Sequence, residues 1–203
     1  MRLPKTAHSS RHWRIDELTR DFRLEDVWAL PTPGGPDDFG RLVAQIAASD
    51  PERTSSRVAR ALWSIRWRIG SLLGWDDDGA GAGGRVRSLR ERLPADLRER
   101  PGPEFARLPF RSLYLLDREW AAEIANRTMH GVMHISWVPA PGGGYRGQMA
   151  VLVKPNGRLG SAYMAGIKPL RSLVVYPALM RQTQRRWQRS SGDSGTEPAQ
   201  RRP

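Results

Sequence analysis

The sequence predicts an α+β fold: a curved antiparallel sheet packed on a long C-terminal helix, with two helices inserted after the first strand. Three observations carry this. Residues Phe22 to Trp28 alternate loosely as a strand before Pro31-Thr32-Pro33-Gly34-Gly35-Pro36 breaks the chain. Four segments between Ser112 and Lys154 read as successive strands separated by turn residues. An apolar stretch from Leu159 to Trp187 keeps helical spacing at Leu159, Tyr163, Ile167, Leu170, Val174 and Ala178. A meander needs cover on one face, and the last helix supplies it, giving two layers. A cavity between such layers is a common small-molecule site.

Each element follows in order. Residues 1–12 are expected as an extended arm, 13–187 as the domain and 188–203 as a disordered tail. Asp37 or Asp38 caps a first helix that places Phe39, Leu42, Val43, Ile46 and Ala47 on one face. A second helix is expected over 55–75, with Val58, Leu62, Ile65, Ile69 and Leu72 as its apolar stripe. Residues 76–84 read as a flexible loop, and a short helix is expected around Ser88–Leu93. The strands are Ser112–Leu116, Trp120–Thr128, Met129–Val138 and Tyr145–Lys154, with a hairpin loop at Pro139–Gly144. Pro169 and Pro177 are expected to kink or divide the last helix.

The chain has 203 residues, enough for one domain to bury a core without disulfide or metal staples. It has no cysteine, which excludes disulfides, Cys-ligated zinc, iron–sulfur clusters and thiol nucleophiles. Lys+Arg number 33 against 21 Asp+Glu, a formal net charge of +12. Only three of the 33 are lysine (Lys5, Lys154, Lys168), a bias that fits GC-rich codon usage. The excess is unevenly placed. Residues 1–123 carry 21 basic and 19 acidic groups, whereas ten basic and no acidic residues lie between Glu123 and Asp193. That asymmetry can steer an anionic partner toward the later strands and last helix. No apolar leader follows Met1, and no run is long enough to span a bilayer. The cytoplasm is the expected location.

Most motifs read plainly. Gly79–Gly84 satisfies G-x-G-x-x-G but lacks the preceding strand and following helix, so it reads as a linker. Asp76, Asp77 and Asp78 lack the glutamate of a calcium loop, Arg87 standing in its place. His130 and His134 would share one strand face with Val132 and Ser136. Four residues along a strand span ~13 Å, too far for one ion. Gly131 also stands where a zinc protease has glutamate. No metal and no cofactor are expected. Glu119, Glu123 and Arg127 alternate on one side of the preceding strand, with Trp120 and Ile124 on the other. Glu123 beside His130 or His134 makes an acid–base couple, although an ion pair to a cross-strand arginine is the commoner outcome. Arg181, Arg185, Arg186 and Arg189, with Trp187 among them, form a basic–aromatic cluster suited to phosphate. Cations at a helix C-terminus also suit its dipole, and no nucleic-acid motif accompanies them, so nucleic acid is not the expected partner.

Several separated segments resemble one bacterial family. They are Phe22–Gly35, Glu119–His130, Gln148–Pro155, Ile167–Arg171 and Val174–Ala178. Together they resemble the domain of unknown function 2867, over about residues 8–187. The resemblance implies a relation to the helix-grip, START-like or Bet v 1-like superfamily, whose members wrap a curved sheet around a long C-terminal helix and often bind apolar ligands. Some are cyclases or hydrolases. In some relatives a similar domain follows an NAD(P)-binding domain, and no nicotinamide role carries over to this chain.

The expected function is binding of a small, largely apolar ligand between sheet and C-terminal helix. Trp120, Ile124, His130, His134, Gln148, Tyr163 and Ile167 are the expected lining. A second expectation is a cyclase- or hydrolase-like site using Glu123 with His130 or His134. A third is a non-catalytic module that meets an anionic partner through Arg181, Arg185, Arg186 and Arg189. The residues leave the oligomeric state open.

Overall fold

The structure, a computed structural model, describes residues 1–50, 86–126, 129–157 and 175–193. The expected helix over 55–75, the loop over 76–84, Arg127, Tyr163, Ile167, Pro169 and the tail from 194 onward lie outside the described residues.

Six strands form one curved antiparallel sheet in the order β1-β2-β6-β5-β4-β3. They are β1 (Arg2–Leu3), β2 (Arg23–Ala29), β3 (Arg111–Leu115), β4 (Glu119–Ala125), β5 (Met129–Pro139) and β6 (Tyr145–Pro155). The helices are α1 (Thr6–Ser9), α2 (Arg14–Leu18), α3 (Phe39–Ala47), α4 (Ala95–Arg98) and α5 (Tyr176–Asp193), with a 3-10 turn at Leu89–Arg92. Strands β3 to β6 form the expected meander, and β2 returns to pair with β6. The β5–β6 hairpin turns through Gly143 and Gly144, both at positive φ, where a side chain is strained.

Both faces of the sheet are covered, so the domain has three layers where the sequence suggests two. On one face Trp28, Trp120, Ile135, Trp137 and Met149 pack against Phe39, Leu42 and Val43 of α3 and against Tyr176, Met180 and Trp187 of α5. On the other, Val27, Ala121, Val132, Ala150 and Leu152 pack under Ile15, Leu18, Leu89, Leu93 and Leu97. The reason lies in the strands. They carry apolar residues on both sides, and each set has to leave water.

The segment expected as an extended arm, residues 1–12, adds to this second cover through Leu3 and Ala7. Arg2 and Leu3 pair with Trp28 and Val27 as an edge strand, and the Arg2 guanidinium meets the buried Asp26 carboxylate at 2.9 Å. His8 in α1 is buried.

At the other end, α5 runs to Asp193, beyond the expected start of the tail at 188. Pro177 is the second residue of α5 as described. Trp187 fixes α5 to the domain. Its ring lies under the Arg41 guanidinium at 3.9 Å, and its indole N–H donates to Pro33 O at 2.9 Å.

Candidate functional site

Strands β4 and β5 carry one arrangement twice. Glu119 and Glu123 lie four residues apart on β4 and face the same side, as do His130 and His134 on β5. The register sets Glu119 opposite Ser136 and Glu123 opposite Val132. Each histidine therefore sits two positions before the residue opposite its glutamate, a diagonal within side-chain reach. His130 Nε2 lies 2.9 Å from Glu123 Oε2, and His134 Nε2 lies 3.2 Å from Glu119 Oε1. All four side chains are buried. Glu123 thus meets a histidine, not the arginine expected across the strands, because this register brings His130 onto its diagonal.

Each glutamate also receives the first turn of a covering helix. The Arg14 and Ile15 N–H groups donate to Glu119 at 3.1 and 3.0 Å, and the Tyr114 hydroxyl donates to the same carboxylate. The Leu89 N–H donates to Glu123 at 2.9 Å, joined by the Ser88 hydroxyl. Such N–H groups have no intrahelical acceptor, and a carboxylate suits the positive end of the turn. Burial opposes ionisation of both glutamates. The bonds from histidine, hydroxyl and backbone outweigh it and hold both below the usual carboxylate range. Burial and the Glu119 charge push the Tyr114 phenol the other way, upward.

The two couples differ in what lies beyond them. His130 meets the edge of the Phe22 ring, centroids 5.1 Å apart. His134 Nδ1 lies 3.2 Å from His8 Nε2, with the two rings edge to face. Trp13 closes this cluster. Its indole N–H donates to His8 O at 3.2 Å, and its ring centroid lies 5.2 Å from that of His134. Burial, and then the neighbouring His134, lowers His8 to about 4, so its imidazole is neutral at neutral pH.

Two clefts flank this row. The larger, of about 650 Å³, is lined by His12, Trp13, Arg14, Asp96, Arg100, Leu116, Asp117, Arg118 and Glu119. The smaller, of about 260 Å³, is lined by His8, Ser9, Asp16, Thr19, Arg20, Phe22, Leu24 and Leu152. Glu119 faces the first and His8 the second. Neither is lined by Glu123 or His130.

The expected lining residues do not converge. His130, His134 and Gln148 face the N-terminal cover, where the Gln148 amide donates to Ala7 O at 3.4 Å. Trp120 belongs to the opposite layer, stacked on Phe105 at 5.1 Å, and Ile124 shares its face. Tyr163 and Ile167 lie outside the described residues. Where α5 crosses the sheet, Trp28, Trp137, Met180 and Trp187 pack the interface. Arg181, Arg185 and Arg189 are exposed along α5, while Arg186 is half-buried and donates to Ser49 Oγ at 3.3 Å. Trp187 is turned inward and buried.

His8 and Trp13 carry no motif that marks them in the sequence. Glu119 does carry a signal: the four-residue spacing of Glu119 and Glu123 is matched by that of His130 and His134 in the next strand.

No helix of the described residues is long and apolar enough to cross a membrane. Among those residues no group of three or more His, Asp or Glu is placed to hold a metal ion. Comparison with curated proteins finds no match to this chain, and comparison with solved structures finds none either. A family does match, described as Protein of unknown function (DUF2867), over residues 18–178, from the end of α2 into the start of α5. The chain belongs to that family.

Proposed function

We propose that this protein binds a small acidic molecule with a flat or apolar body in the larger cleft, on the sheet face opposite α5. One observation carries the reading: Trp13, Leu116 and the arginines Arg14, Arg100 and Arg118 line one cleft of about 650 Å³ beside the buried Glu119. That volume suits a small-molecule ligand. Arg14 is already engaged by Glu17 at 3.2 Å and Asp96 at 2.9 Å. The Arg118 guanidinium lies over the Tyr145 ring at 5.0 Å, and Arg100 also lines the cleft. Trp13 and Leu116 offer the apolar side.

A helix-grip, START-like ancestry is proposed for the fold alone, since a meander laid across a C-terminal helix is the architecture of that superfamily. The binding class is the one expected from the sequence. Its place moves from the α5 interface, packed by tryptophans, to the N-terminal face.

The test is native mass spectrometry of the protein purified from its own host. The reading expects a retained small acid that is lost from the Arg100→Gln/Arg118→Gln variant. A mass matching the bare chain, or a molecule held equally by that variant, refutes it.

A further inference from the structure

Residues 1–12 lie on the sheet with little apolar area to hold them. Their apolar anchors are Leu3 and Ala7, both partly buried. The other fasteners are polar. Arg2 and Leu3 pair with β2, the Arg2 guanidinium meets Asp26 at 2.9 Å, and Gln148 donates to Ala7 O at 3.4 Å. The deepest fastener is His8 of α1. It is 2 % exposed, and its Nε2 lies 3.2 Å from Nδ1 of the fully buried His134.

That contact has a limited capacity for protons. Two facing ring nitrogens bond when one carries a proton and the other a lone pair. Two neutral imidazoles share two protons over four nitrogens. A third proton still leaves one facing nitrogen bare, and the contact survives. A fourth sets N–H against N–H and one positive charge against another, in a site closed to water. Relief falls to His8. His134 is fixed in the middle of β5, paired with β4 on one side and β6 on the other, whereas α1 is a single turn of four residues.

The groups around the pair do not lift this limit. Glu119 on β4 lies 3.2 Å from His134 Nε2, and Tyr114 on β3 donates to that carboxylate. Asp16 on α2, which also feels His12, and Arg20 line the smaller cleft with His8, and β6 presents the neutral Gln148. Glu119 favours a charged His8, but burial first and His134 second outweigh it and hold that imidazole at about 4.

We propose that residues 1–12 are an acid-released strap: when His8 and His134 both become charged, their contact breaks, α1 lifts from β5, and the smaller cleft opens onto His134 and Gln148. The sign follows from linkage. His8 sits below its ordinary value while strapped, so the released segment binds the proton more tightly and acid favours release. Between pH 6.5 and about 4 the release equilibrium gains up to roughly tenfold per pH unit.

Hydrogen–deuterium exchange from pH 7 to 4.5, corrected for the intrinsic pH dependence of exchange, tests this. Protection of the amides of residues 2–10 should fall by up to roughly tenfold per pH unit below pH 6.5, while β5 and β6 keep theirs. In His8→Gln, whose side chain keeps a hydrogen-bonding group but takes up no proton, those amides should hold one level of protection throughout. Protection in the wild type that ignores pH overturns the proposal. Loss shared equally by β5 and β6 does so too, since that is global unfolding. An unchanged pH dependence in His8→Gln also overturns it, because the release then belongs to Asp26 at the Arg2 ion pair or to another carboxylate. Should His8→Gln be unprotected already at pH 7, NMR titration of the wild-type His8 ring decides. Its protonation should run in step with the loss of protection, and a His8 that gains its proton while residues 2–10 stay protected overturns the strap.

Discussion

Glu123 and His130 face each other across β4 and β5 at 2.9 Å with essentially no exposure to water. The Glu123 carboxylate also accepts from the Leu89 N–H and the Ser88 hydroxyl, so it fastens the 3-10 turn to the sheet. Removing one member strands the other. Glu123→Ala is expected to cost about 3–5 kcal/mol, because the bonds of Ser88, Leu89 and His130 lose their common acceptor. Glu123→Leu with His130→Leu is expected to recover part of that loss. Urea denaturation measures both. A single-variant cost below about 1 kcal/mol contradicts the fastening role.

Acid should weaken the fold in two stages. His8 sits at about 4 against an ordinary value of 6.5, so the unfolded chain takes up this proton first. Its contribution to stability is full above pH 6.5 and declines as the pH falls toward 4, by roughly 2–3 kcal/mol. Glu119 and Glu123, held below the carboxylate range, add a second loss as pH drops through their folded values. Asp16, raised by burial, opposes this slope. Tm measured from pH 7.5 to 4 should fall in the wild type and fall less between pH 6.5 and 4.5 in His8→Gln. Equal slopes in the two proteins count against the assignment to His8.

Arg41 and Trp187 tie α3 to α5, with the guanidinium 3.9 Å from the indole centroid. Trp187→Ala is expected to cost about 3–5 kcal/mol through lost burial. Arg41→Ala should cost about 1 kcal/mol through the lost cation–π contact. The double variant should fall short of the sum, a coupling of at least about 0.5 kcal/mol. Additive costs in thermal unfolding would show that the two side chains act separately.

Gly147 marks where β6 approaches α3 most closely. A methyl there would lie 2.6 Å from Leu42 Cδ2 and 2.9 Å from Leu30 Cδ1. Gly147→Ala should cost about 1–3 kcal/mol by overpacking. Gly142, whose added methyl meets nothing within 4 Å, is the matched control and should change little. A stable Gly147→Ala protein would mean that Leu30 and Leu42 shift aside at low cost.

Sequence pattern alone reaches the elements. Period-two alternation and the glycine hairpin place β4, β5 and β6 within a few residues, and the spacing of Phe39, Leu42, Val43 and Ala47 locates α3. The shared face of His130 and His134 is likewise local, a matter of pleat. The placement of Trp120 and Glu123 on opposite faces follows from the same rule.

Tertiary structure decided the rest. The Glu–His diagonals need the register of two strands, and one residue of slip would turn every side chain to the other face. The contact of His8 with His134 spans 126 positions, and nothing in the polar segment around His8 announces it. Charge told which part of the chain is basic, but not that Trp187 turns inward away from the arginines of α5. Alternation is written residue by residue, whereas docking depends on which distant surfaces find water exclusion together. The N-terminal segment, polar when read alone, becomes the cover of a sheet face and brings both clefts into being.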